Sequence, residues 1–229
     1  MSVLLLHIES SGPVCSLGLS ESGVCIDVIQ NATPHAHAEW IHTGIQELLK
    51  KNHKALNQLH AIAVSIGPGS YTGLRIGLST AKGLCYGLKI PLIPIDSLKL
   101  MAFAARAKSF CNTYVICQDA GRMEIYVAVY NNNLKTLIEP RAIDLAQTDF
   151  FNSLTGLTLC VCGSGSSKTL PFIQNIKSAI KIQEDILHPH ASDMIEIAHE
   201  MYIHNQWPVD YGNLEPAYLK PYFFKPKMS

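Results

Sequence analysis

Charge of either sign is scarce in this sequence, and neither sign dominates: eighteen Lys and Arg balance eighteen Asp and Glu among 229 residues. A chain without net charge has no long-range field to gather nucleic acid or an anionic membrane. Contact with RNA would have to be local or made through a partner. Long apolar runs are missing too. The run that begins at Val3 is broken by His7 and Glu9 and has no basic stretch ahead of it, unlike a secretory signal. Nothing approaches the roughly 18–20 apolar residues of a membrane span. No C-x-x-C pair occurs, and the seven cysteines (Cys15, Cys25, Cys85, Cys111, Cys117, Cys160, Cys162) are odd in number. Several lie in apolar runs such as YVIC and LTLCVC, where a thiol acts as a small core hydrophobe. The expectation is reduced, buried thiols in a cytoplasmic protein.

What the chain does have is apolar content, 48% of residues, enough for one large domain or two compact ones. VLLLHI, VCSLGLS and GVCIDVIQ read as three strands separated by the turn signals SSGP and ESG. From Ala36, HAEWIHTGIQELLKK repeats apolar residues at 41, 45, 48 and 49, one face of a helix. AIAVSI is a continuous apolar strand of the kind buried on both faces. A helix over 72–88, the strand IPLIPI and a helix from Ser97 follow, giving a βββαβαβα order. The pattern restarts near Asn112 with TYVICQDA, MEIYVAVYN and LKTLIEPRAI as strands. LAQTDFFNSL then reads as a helix, LTLCVCG as a strand, and SSKTLPFIQNI and ASDMIEIAHEMYIHN as helices, the last opened by a Ser or Asp cap. The second unit is less complete. The boundary is placed at residue 108, with 1–108 and 109–229 as the two lobes. The tail after Trp207, rich in proline and aromatics, is expected to lie extended over the body.

Two glycine-rich turns invite a search for phosphate chemistry. In SIGPGSYTGLRIGLSTAKGL, Gly67, Gly69 and Gly73 give G-x-G-x-x-x-G, one residue longer than the dinucleotide fingerprint. A Walker loop would end in Gly-Lys-Ser or Gly-Lys-Thr, yet Lys82 is three helical turns away. The loop can still offer N–H groups to an anion at a helix N-terminus. The other reading is structural: Ser70 or Thr72 caps the helix, and Gly73, Gly77 and Ala81 form a small-residue stripe that lets another backbone come close. Because glycine weakens a helix by about 1 kcal/mol relative to alanine, some packing gain should offset it. CGSGSSKT resembles a Walker loop until Ser167 is found before Lys168; a plain strand-to-helix turn is the simpler reading.

The remaining chemical candidates are thin. His35, His37 and His42 crowd the first helix, but the five-residue step from 37 to 42 does not put two rings on one face as zinc sites require. His188 and His190 form another pair. Asp119 and Glu124 are the best carboxylate pair, with Arg122 between them as the expected salt-bridge partner. No G-x-S-x-G elbow occurs.

Taken together the motifs resemble the TsaB (YeaZ) family. The residues from Gly67 to Leu84 match its G-P-G-S-F/Y-T-G-L-R-x-G-x-x-x-A-K-G-L signature almost position for position. LLHIESSGPVCSLGLSESG, HAEWIHTGIQELL, IPLIPIDSLKLMA and QDAGRMEIYVAVY are similar to its other conserved blocks in the right order, over most of residues 1–130. The resemblance implies an α/β fold of the actin-like, Hsp70-like ATPase (ribonuclease H-like) class, two lobes with mixed sheets, the second reduced. It implies a role in making threonylcarbamoyladenosine beside the anticodon of bacterial tRNAs that read ANN codons. There TsaD is the catalytic, metal-bearing subunit, TsaB its non-catalytic dimerisation partner, TsaE an ATPase, and a separate enzyme makes the donor. No cofactor and no metal are expected on this chain, and tRNA is met only through the complex. The implied interface with TsaD, or with a second TsaB copy, lies on the first two helices: Ile41, Ile45, Leu48 and Leu49, then Gly73, Leu74, Gly77, Leu78 and Ala81. Two departures stand out. Glu9 replaces the usual first-strand aspartate, and Gly121 stands where arginine is common. The alternative within the superfamily is a nucleotide-dependent phosphotransferase or a metal-dependent peptidase-like enzyme.

Overall fold

A computed structural model describes residues 2–34, 36–174 and 176–220. In chain order the elements are β1 (Leu4–Glu9), β2 (Cys15–Glu21), β3 (Val24–Asn31), α1 (His37–Lys51), β4 (Ala61–Gly67), α2 (Tyr71–Leu88), β5 (Leu92–Asp96) and α3 (Ser97–Lys108). They continue with β6 (Thr113–Asp119), β7 (Glu124–Asn131), β8 (Thr136–Asp144), β9 (Thr158–Cys162), α4 (Ser166–Ile173), β10 (Ala179–Gln183) and α5 (Met194–Ile203). Short 3-10 turns cover Leu56–Gln58, Phe150–Leu154 and Ala191–Asp193.

Each lobe is built on one five-stranded sheet, ordered β3-β2-β1-β4-β5 in the first and β8-β7-β6-β9-β10 in the second. The first three strands of each pair antiparallel, and the last two join in parallel. The two sheets therefore repeat one another strand for strand. The architecture is the two-lobed, mixed-sheet α/β fold of the actin-like class.

Strand periodicity decides which helix meets which face. On β1, Leu4, Leu6 and Ile8 point into a core shared with α1 and α2, through Ile41, Ile45, Leu48, Leu78 and Ala81. Leu5 points to the opposite face, where Met194, Ile197 and Ala198 of α5 cover it. The same alternation on β6 sends Tyr114 and Ile116 toward Leu98, Met101, Ala102 and Ala105 of α3. Val115 and Cys117 go to a separate core with Phe151 and Ile173. Helix α3 thus covers the second sheet while its Leu100 touches the first, and α5 returns to the first sheet. A cut at residue 108 separates the sheets but not the helices that pack on them.

Three details differ from the sequence expectation. LAQTDFFNSL forms only the 3-10 turn Phe150–Leu154. There Thr148 Oγ1 accepts from the Phe150 N–H and Ser153 Oγ donates to the Phe150 carbonyl, local bonds that compete with a helix. The strand β10 was not anticipated, because AIKIQ is an edge strand with a weak, partly exposed pattern. The start of α5 carries no side-chain cap; Asp193 instead accepts from the His190 N–H. The tail runs without helix or strand from residue 204 to 220, and its end, 221–229, lies outside the described residues.

Candidate functional site

The turn after β4 and the turn after β1 are one unit. A Cβ placed on Gly69 would stand 2.4 Å from the Ser11 carbonyl oxygen, on Gly73 2.1 Å from that of Ser10, and on Gly77 2.2 Å from Ser10 Oγ. No side chain larger than hydrogen fits. The N-terminus of α2 is pressed onto Glu9-Ser10-Ser11, and this contact is what the small-residue stripe serves. It is held by Ser10 Oγ donating to the Gly73 carbonyl (2.9 Å) and the Ser70 N–H donating to the Ser11 carbonyl (2.7 Å). Ser70 caps α2, its Oγ accepting from the Gly73 N–H at 3.2 Å. Gly67, at φ +107°, opens the turn into a cis peptide to Pro68.

Glu9 is fully buried under this turn. Its Oε1 accepts from the Ser11 N–H at 2.6 Å, and its Oε2 has no partner. Burial pushes its carboxyl up to about 7 despite the opposing bonds from Ser11. His7, two residues earlier on the same strand face, is also buried and bonds Ser20 Oγ at 2.7 Å; burial brings it down to about 3. These groups are locked in the lobe and not presented to solvent.

The second lobe repeats the arrangement. Gly163 also has φ +107°, and a Cβ on it would meet the Cys117 carbonyl at 2.1 Å. The Gly165 N–H donates to that carbonyl at 2.8 Å, and Ser164 Oγ accepts from the Asp119 N–H. Lys168, the lysine of the Walker-like stretch, is turned onto Asp119 Oδ1 (2.5 Å) and the Arg122 carbonyl (2.7 Å). Partial burial raises the Asp119 carboxyl, but Lys168 and the Gly121 N–H outweigh it and hold it below its ordinary value. The expected pairing of Asp119 and Glu124 with Arg122 is therefore replaced: Asp119 takes Lys168, and Glu124 takes Lys220 from the tail. Arg122, at φ +49°, contributes its carbonyl.

Between the two turns lies a cavity of about 680 Å³. Ser11, Gly12, Ser70 and Thr72 line it from one lobe, Gln118, Asp119, Ser164 and His188 from the other. Among the described residues that line it there is no Lys or Arg, and its one carboxylate, Asp119, is paired. His37 reaches in from α1, where Nε2 lies 3.2 Å from the Gly12 carbonyl, whereas His42 faces outward. His35 lies outside the described residues. No group of three or more His, Cys, Asp or Glu is placed to hold a metal ion among the described residues. All seven cysteines are free; six are buried and Cys25 is exposed, against the expectation that they are all core thiols.

A family profile described as tRNA N6-adenosine threonylcarbamoyltransferase (TsaD) matches residues 28–200. Over 225 residues the chain is 27% identical to the tRNA threonylcarbamoyladenosine biosynthesis protein TsaB of Escherichia coli K12, covering 94% of each. The Haemophilus influenzae protein of the same name is 28% identical over 228 residues, 96% of this chain and 94% of the relative. The chain belongs to the TsaB (YeaZ) family. The fold agrees: YeaZ from Pseudomonas aeruginosa superposes with a TM-score of 0.81 at 22% identity over 95% of this chain and all of that one. A second Pseudomonas structure, described as similar to peptidase YEAZ, gives 0.83 at 21% identity with the same coverage.

The nine residues that the TsaB-family resemblance assigns to a partner interface are all buried within this chain. Ile41, Ile45, Leu48, Leu49, Leu78 and Ala81 belong to the core under α1 and α2, Leu74 is 1% exposed, and Gly73 and Gly77 rest on Ser10. The apolar stripes of both helices are spent on their own sheet. Outward, α1 offers Glu39, His42, Gln46 and Lys50, and α2 offers Arg75, Ser79, Gly83, Tyr86 and Gly87. Tyr86 is 83% exposed, and a Cβ on Gly83 or Gly87 would meet nothing within 4 Å beyond the helix's own neighbouring backbone. Sequence reasoning passed over these because one tyrosine between two glycines carries no periodic signal.

Proposed function

We propose that this chain is a non-catalytic subunit in the synthesis of threonylcarbamoyladenosine on tRNA, acting in the cytoplasm with a TsaD-like catalytic subunit and a TsaE-like ATPase. Its TsaB-named relatives support the pathway. The observation that carries the non-catalytic part is the state of the interlobe turns. Lys168 is engaged by Asp119 and a carbonyl, and Glu9 is sealed beneath Ser11, so the groups that could meet a metal–phosphate are committed inside the fold. The catalytic partner, or a second copy of this chain, docks on α1 and α2. The nine buried residues act there as the layer that fixes the two helices, with Tyr86, Gly83 and Gly87 as the outward contact. tRNA is met through the assembled complex.

The test is reconstitution. Donor-forming enzyme, TsaD and TsaE should modify tRNA only when this chain is added, and Tyr86→Glu should abolish modification while leaving the fold intact. Full modification without the chain would overturn the reading. The cavity of about 680 Å³ between two glycine turns leaves room for one competitor, a nucleotide-dependent phosphotransferase, although no Lys or Arg lines it among the described residues. Stoichiometric binding of magnesium–ATP by the isolated chain in calorimetry would support that competitor instead.

A further inference from the structure

The tail between 211 and 220 has no regular structure, yet a series of anchors holds it. Tyr211 and Leu214 pack against the N-terminal core, and Lys82 Nζ on α2 donates to the Gly212 carbonyl at 2.8 Å. The Ala217 N–H donates to the Ile66 carbonyl at 2.7 Å, the last bond before the Gly67 turn. Tyr218 Oη accepts from Arg75 Nε at 2.8 Å, and the Arg75 guanidinium lies over the Tyr71 ring, 4.0 Å from its centre. Three residues after Ala217 the chain has crossed to the other lobe. There Lys220 Nζ donates to the Ala120 carbonyl at 3.1 Å and pairs with Glu124.

The two ends of this short crossing are the turns that wall the interlobe cavity. Ile66 and Gly67 lead into Ser70 and Thr72; Ala120 follows Asp119. Three extended residues reach at most about 10–11 Å. While Ala217 and Lys220 are both engaged, the two turns cannot part by more than that span plus one lysine side chain. The 184–193 segment also ties the lobes, since the Gly163 and Ser164 N–H groups donate to the Ile186 and Leu187 carbonyls and the Ala191 N–H donates to Ser16 Oγ. The tail adds a second tie at Ile66 and Ala120. We propose that residues 217–220 form a latch across the cleft that adds to this tie and limits how far the Gly67 and Ala120 turns part, so that releasing its Lys220 end lets that side of the cavity open.

The full-length chain supplies one handle for a test, since Cys25 on β3 is the exposed thiol and the other six are buried. A second label at Asn133→Cys, on the exposed β7–β8 turn, reports the distance between lobes by spin-label or single-molecule fluorescence measurement. Lys220→Ala and Tyr218→Ala should each lengthen and broaden the distance distribution. The exchanged pair Glu124→Lys with Lys220→Glu should return it toward the parent. Lys168→Ala removes an ion pair inside the second lobe and should leave it unchanged. Parent-like distributions in both tail variants, with an unaltered circular dichroism spectrum, would overturn the latch. So would an equal change from Lys168→Ala.

Discussion

In the N-terminal lobe the glycine turn after β4 feeds an 18-residue helix; in the C-terminal lobe the equivalent turn after β9 feeds one of eight residues. The strands repeat, the leading glycines share φ +107°, and each turn leans on the end of the lobe's first strand. What differs is how that contact is held. In the first lobe it is dry and backbone-tight, with three glycines under Ser10 and Ser11 and a carboxyl sealed beneath. In the second it is partly exposed, and an ion pair from Lys168 spans it. The first lobe also keeps the full 15-residue α1, where the second has a five-residue 3-10 turn. The helices that remain long are the two proposed to meet a partner, and the reduction falls on the other lobe.

The sharpest way to break the contrast is to crowd the dry contact. Gly73→Ala would put a methyl 2.1 Å from the Ser10 carbonyl, and backbone cannot yield as a side-chain tip would. A loss of about 3 kcal/mol or more is expected. That corresponds to a fall of roughly 6–12 °C in melting temperature for a chain of this size, read by calorimetry.

Glu9→Gln should come next. The folded carboxyl lies near 7 against an ordinary 4.5, so the buried group costs nothing below pH 4.5. Its destabilisation grows as pH rises through 7, on the order of 3 kcal/mol at the upper end. His7 works in the opposite sense: lowered to about 3, it favours the fold above pH 6.5 and loses that contribution as pH falls. The difference between Glu9→Gln and the parent cancels the histidine. Urea midpoints from pH 4.5 to 8 should show the variant gaining on the parent as pH rises, and a constant difference would mean Glu9 is not neutral when buried.

Smaller effects test the glycines that touch nothing. Gly83→Ala on the open side of α2 should stabilise by about 0.5–1 kcal/mol through helix propensity, seen as a higher urea midpoint, while a partner docked there should bind more weakly. Lys168→Ala, in a pair with 24% and 41% exposed side chains, should cost less than about 1 kcal/mol. Equal costs for Lys168→Ala and Gly73→Ala would erase the distinction between the lobes.

Much of the fold was readable because it rests on local pattern. The runs 3–8, 14–20 and 61–66, the helix face at 41, 45, 48 and 49, and the restart near Asn112 all correspond to elements of the structure. The candidate site was readable only in outline. An apolar stripe on α1 announces that something covers it, but the same stripe suits a partner or the chain's own sheet. Ile45→Glu or Leu78→Glu, aimed at the implied partner face, would instead place a carboxylate in the core. Lys168 and Asp119 are 49 residues apart, and no spacing rule joins them.

The sequence by itself determined the strand and helix periods, the positions of the two glycine turns, and membership of a family whose signature spans the first of them. Tertiary structure alone decided that Gly73 and Gly77 are occupied by Ser10, that Glu9 is shut away, and that the tail crosses from Ile66 to Ala120. Local preferences act over a few residues, whereas these contacts join segments 63 to 151 positions apart, and only packing of the whole chain selects which surfaces meet.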